Sequence, residues 1–115
     1  MSHSRRLVRY TPYGRLFQED ISELKLNGYD IHIVGKGPVH ERNCVAIIGN
    51  MITDIRNGEK PTKFPTQPFR VQISQSGSLL ATINNPAGLV RGLKSVMNAN
   101  KENAPEVVTR LRAII

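Results

Sequence analysis

The sequence predicts an α+β protein: an antiparallel β-sheet built from hairpins, of about five or six strands, followed by two C-terminal α-helices packing on one face. Three observations predict it. Asn27-Gly28 separates two runs of alternating apolar and polar residues, and Ser76-Gly77-Ser78 separates two more. From Asn84 onward the apolar spacing changes from the strand period to the helical one. Hairpins precede helices here, rather than alternating with them as in a βαβ chain.

Residues 1–15 form a basic arm ahead of a single α+β domain, 16–115. The arm carries Arg5, Arg6, Arg9 and Arg15 and no acid. Tyr10 and Tyr13 lie among these cations, and Pro12 and Gly14 punctuate a turn. Arginine interleaved with tyrosine suits phosphate contact combined with base stacking.

Residues 21–35 form the first hairpin. Asn-Gly is the strongest short-range hairpin signal, because a type I′ turn needs positive φ at both central residues. A two-residue loop sets the register: Leu26 faces Tyr29, Lys25 faces Asp30, Leu24 faces Ile31, Glu23 faces His32 and Ser22 faces Ile33. Opposite charges then meet twice on the outer face, each pair contributing about 0.2–1 kcal/mol. A rival reading makes 17–26 a short helix with Gly28 as its C′ residue, but Asp20 and Ser22 are poor interior helix formers.

Gly35 to Asn43 reads as a basic loop. Gly35-Lys36-Gly37 is not a Walker A pattern, which opens a helix. Lys36 is a candidate phosphate contact on a loop tip. Cys44 to Ile55 is apolar at both parities, which predicts a strand buried on both faces or reaching a subunit interface. Gly49-Asn50 is either a turn or a bulge within that stretch. Pro61, Pro65 and Pro68 make residues 59–68 an extended connection, with Lys60, Lys63 and Phe64 giving it a basic, partly aromatic character.

Phe69, Val71 and Ile73 alternate with Arg70, Gln72 and Ser74, and Leu79 to Ile83 returns as the partner strand. Asn84-Asn85-Pro86 opens a helix, with Asn as cap and Pro at the first helical position. Its apolar stripe is Leu89, Leu93, Val96 and Met97, and Arg91 and Lys94 share another face. Gly88 and Gly92 lower helix propensity and allow close approach of another element. Pro105 starts the last helix, with Val107, Val108, Leu111, Ile114 and Ile115 inward and Arg110 and Arg112 turned away.

The net charge is +7, from 16 Lys+Arg against 9 Asp+Glu, and the isoelectric point is about 10.1. Values above ~9 are the electrostatic footprint of nucleic-acid binders. Cys44 is the single cysteine, so no disulfide forms within one chain, and a reducing, cytoplasmic setting is expected. No apolar run approaches the ~18 residues of a membrane span, and the first residues lack a secretory signal. No membrane role is expected.

No catalytic, metal or cofactor site is expected. His40, Glu41 and Cys44 lack the second ligand cluster that zinc requires. Cys44 lies in an apolar run where a thiol is inert, and there is no G-x-S-x-G elbow. What remains is basicity spread over an arm, a loop and a helix face, the distribution that phosphate-backbone binding uses.

The sequence therefore predicts a non-catalytic nucleic-acid-binding protein, for RNA or DNA. Its expected contacts are Arg5, Arg6, Arg9, Arg15, Lys36, Arg91 and Lys94, with Tyr10 and Tyr13 stacking. The run 44–55 and the glycine-bearing helix predict a homodimer or larger homo-oligomer. Strands followed by two helices resembles, in layout alone, some small viral coat proteins that bind RNA on a dimeric sheet. The alternative is a protein-interaction or assembling structural subunit that docks on a protein partner.

Overall fold

The computed structural model describes the backbone of residues 3–10, 16–35, 38–66 and 68–114, and the side chains of 23–35, 39–66 and 68–114. The fold is α+β with an antiparallel sheet. Strands β2 (Leu16–Leu26), β3 (Tyr29–Gly35), β4 (Phe69–Gln75) and β5 (Ser78–Ile83) form its body. Strand β1 (His3–Tyr10) extends it at the β2 edge, giving the order β1-β2-β3-β4-β5. The described part of the arm is thus a strand, with His3 opposite Glu23 and Tyr10 opposite Leu16 in register.

The β2–β3 hairpin has the register that Asn27-Gly28 dictates. Leu26 pairs with Tyr29, Lys25 with Asp30, Leu24 with Ile31, Glu23 with His32 and Ser22 with Ile33. Asn27 has φ 52° and Gly28 φ 84°, as the type I′ turn requires. Lys25 Nζ lies 3.4 Å from Asp30 Oδ1, and His32 Nδ1 lies 3.6 Å from Glu23 Oε1. The rival helix over 17–26 is excluded by this pairing.

The β4–β5 hairpin turns through Ser76 and Gly77, both at positive φ. An irregularity follows: Ile73 pairs with Ala81, but Ser74 pairs with Leu79. Leu80 is the extra residue of a bulge, so the alternation slips. Leu80 and Ala81 are consecutive and both buried, while Leu79 is 53% exposed.

The stretch 44–55 is not a strand. It lies in helix α1, Pro38–Arg56, so the described residues hold three helices rather than two. Residues 38–43, read as loop, are the helix's first turns, and Pro38 stands at its start, where a missing N–H costs nothing. The burial follows a helical period: Glu41, Cys44, Ile48, Met51 and Ile52 are buried, and Ala46, Gly49, Asn50 and Thr53 are exposed. A run apolar at both parities fits a buried strand and a helix equally well, and the tertiary packing chose the helix.

Strand β3 ends at Gly35, which pairs with Phe69 at the start of β4. Helix α1 has 19 residues, so it carries the chain about 28 Å away. The proline-rich connection after α1 returns the chain to β4. Helix α1 sits directly on the strand end: a Cβ on Gly35 would lie 2.7 Å from the Glu41 backbone nitrogen.

Helices α2 (Pro86–Met97) and α3 (Ala104–Arg112) follow β5. Asn85 caps α2, its Oδ1 accepting from the Gly88 N–H at 2.8 Å. All three helices join one core with the sheet's inner face, where Ile31, Ile33, Val71, Ile73, Leu89, Leu93 and Leu111 are fully buried. No helix among the described residues is long and apolar enough to cross a membrane.

Both features that predict a second copy are used within the chain. The run 44–55 buries one helical face in the core. A Cβ on Gly92 would lie 2.7 Å from Ile83 Cδ1, and one on Gly88 2.9 Å from Ile114 Cγ2. The glycines seat α2 against its own sheet and against the end of α3.

Candidate nucleic-acid interface

The two helix glycines decide where the cations stand. With Gly88, Leu89, Gly92, Leu93 and Val96 buried, Arg91 and Lys94 fall on the exposed face of α2. The α2–α3 joint then brings in a third cation. Asn100 Oδ1 accepts from the N–H groups of Glu102 and Asn103, both at 2.9 Å. Asn103 Nδ2 donates to the Asn98 carbonyl at 2.9 Å. This asparagine network sets the turn, and α3 lies alongside α2 with Arg110 facing it.

The result is a groove of about 340 Å³ lined by Arg91, Lys94, Ser95, Arg110, Ala113 and Ile114. Three of these side chains are cationic, one is a hydroxyl donor, and none is acidic. Glu106 pairs with Arg110 one turn away on α3, with both side chains more than half exposed. Such exposed pairs contribute at most ~1 kcal/mol and exchange partners easily. A polyanion can therefore take Arg110 from Glu106.

Lys94 also lines a second hollow, of about 310 Å³, between the end of α1, the segment 58–64 and α2. Ile55, Pro61, Phe64 and Val90 supply apolar walls, and Glu59 and Lys60 supply charge. The two hollows thus adjoin across α2.

Arg91 and Lys94, both expected from the sequence, are brought together. Arg5, Arg6, Arg9 and Tyr10 lie on β1, whose backbone is four strand positions from β5, about 19 Å across the sheet. Helices α2 and α3 pack on the β5 side. Topology therefore separates the arm's strand from the α2–α3 groove. Tyr13, Arg15 and Lys36 lie outside the described residues. Arg110 and Lys60 are additions to the expected contacts. The outward phase of Arg110 is visible in sequence, but its neighbour is not.

On the outer face of the β2–β3 hairpin Lys25 lies opposite Asp30 and Glu23 opposite His32, so no excess of cations gathers there. Cys44 is 2% exposed, and burial, then the nearby Glu41 charge, push its thiol pKa up. This disfavours the reactive thiolate. Among the described residues no group of three or more His, Cys, Asp or Glu side chains is placed to hold a metal ion. No protein-family model matches the chain, and no curated protein or solved structure is detectably similar to it.

Proposed function

We propose that this is a non-catalytic nucleic-acid-binding protein that holds a phosphate backbone in the α2–α3 groove. The observation that carries the reading is the meeting of Arg91, Lys94 and Arg110 around one acid-free groove on a +7 chain. Arginine presents a planar fork of donors to phosphate oxygens, and lysine adds a point charge. Ser95 adds a neutral hydroxyl donor. Affinity from such contacts is largely electrostatic and comes with counterion release.

The basic strand β1 lies too far across the sheet to share one phosphate with this groove, so any contact it makes belongs to a different stretch of a long ligand. The test is a salt titration of binding to RNA and DNA oligonucleotides by fluorescence anisotropy. Each phosphate neutralised contributes about 0.7–0.9 to the slope of log affinity against log salt. Absence of binding at about 50 mM salt overturns the reading.

A further inference from the structure

We infer that the hollow beside the groove, walled by Ile55, Pro61, Phe64 and Val90, seats an unpaired nucleobase, and that the protein therefore selects single-stranded over duplex nucleic acid. This rests on the α2–α3 groove being the phosphate site. Lys94 lines both hollows, so a strand whose phosphate meets Lys94 has the second hollow within reach of the attached base.

The two hollows differ in the chemistry they accept. The α2–α3 groove holds three cations and no acid among its lining residues, which suits phosphate. The second hollow has four apolar walls, with Glu59, Lys60 and Lys94 as its charged lining residues. Its four apolar walls desolvate a phosphate without compensating it, so a phosphate is left to the lysines while the apolar floor is free for another group. A nucleobase has an apolar π-face suited to Phe64, and its edge groups can stay at the charged rim formed by Glu59 and Lys60. Phe64 is half-buried: it packs on the core and keeps part of its surface in the hollow.

A base inside a duplex is stacked on both faces and shows only its edges in the grooves. It cannot enter a concave apolar hollow without being flipped, which costs a few kcal/mol. The unstacked base of a single strand enters without that cost. Charge complementarity along the shared Lys94 favours this occupant over an apolar protein segment, which would leave Arg91 and Lys94 unmatched.

The experiment compares single-stranded and duplex oligonucleotides of equal length by anisotropy, with the wild type and with Phe64→Ala, Phe64→Leu and Phe64→Trp. The chain has no tryptophan, so Phe64→Trp reports on the hollow alone. The wild type is expected to bind the single strand about tenfold more tightly than the duplex, the scale of one base–aromatic stack. Phe64→Leu keeps the apolar packing and should lose most of that preference, as should Phe64→Ala, with duplex binding unchanged. The Phe64→Trp emission should be quenched by the single strand and not by the duplex.

Equal affinity for the two forms, an unquenched tryptophan, or Phe64→Leu binding as tightly as wild type overturns the inference while leaving the phosphate reading in place. Binding of neither form at low salt removes both.

Discussion

The Asn27 side chain joins the β2–β3 turn to the end of helix α2: Nδ2 donates to the Val96 carbonyl at 2.9 Å and to the Ala99 carbonyl at 2.8 Å. One residue thus serves two purposes. Its backbone takes the left-handed conformation of the turn, and its amide adds a donor to the Val96 carbonyl, which also accepts from the Ala99 N–H, and to the Ala99 carbonyl just past the helix. The contact spans 69 residues of sequence and holds the helix that carries Arg91 and Lys94 to the hairpin.

Asn27→Gly separates the two roles. Glycine takes positive φ freely, so the turn survives, but both donors are lost. Two hydrogen bonds at about 1 kcal/mol each predict a loss of about 1–2 kcal/mol by urea unfolding. A change within roughly 0.3 kcal/mol, inside the ordinary surface range, would mean the cap is energetically silent.

Two glycines test the helical state of residues 38–56 in opposite directions. Gly49 is exposed within α1, and a Cβ added there would meet nothing within 4 Å. Gly49→Ala should stabilise the protein by about 0.5–1 kcal/mol through helix propensity. Gly35→Ala places a Cβ 2.7 Å from the Glu41 backbone nitrogen, which no rotamer change relieves. It should cost about 1–3 kcal/mol. Thermal unfolding of both variants decides the matter, and a destabilising Gly49→Ala would argue against the helix.

Cys44 gives a pH signature. Burial, then Glu41, raise its pKa above the ordinary value of 9.0. The folded state therefore holds the thiol proton more tightly than the unfolded state does. The stability associated with the neutral thiol is fully present below the unfolded pKa and is lost as pH rises from about 9 toward the folded pKa. Denaturation curves on either side of that value should show wild type losing more stability than Cys44→Ala. Thiol-reagent labelling in native buffer should be slow and should accelerate on unfolding.

The groove predicts a graded charge effect. Arg91→Ala, Lys94→Ala and Arg110→Ala should each lower the salt slope of oligonucleotide binding by about 1. Arg112→Ala is the control: Arg112 is exposed on α3 but is not among the residues lining the groove. Equal effects of all four would mean diffuse attraction rather than a groove. Folding should change little, since all four side chains are exposed.

Much of the fold is legible in the sequence because its signals are local. Asn27-Gly28 set a register that holds from Leu26–Tyr29 to Ser22–Ile33. Asn85-Pro86 mark the start of α2, and the buried stripe Leu89, Leu93 and Val96 follows the helical spacing. Helix α1 reads wrongly as a strand because Val45, Ile47, Ile48 and Ile52 favour strands by their branching and fill both parities. Only the choice of Cys44, Ile48, Met51 and Ile52 as the buried set reveals the helical phase. The site is half legible: the outward phase of Arg91 and Lys94 is a property of one helix. Arg110, Lys60 and Phe64 reach Lys94 from other elements.

Residues only a few positions apart suffice to specify the Asn27-Gly28 turn, the first hairpin's register and the α2 cap, and the basic charge follows from composition. Packing between distant residues settled the rest: that 44–55 is a helix, that Gly88 and Gly92 serve the chain's own core, and that Lys94 stands between a cationic groove and an apolar hollow. These are choices between locally equivalent states. The free energy that separates them comes from contacts between residues distant in sequence, which no local pattern records.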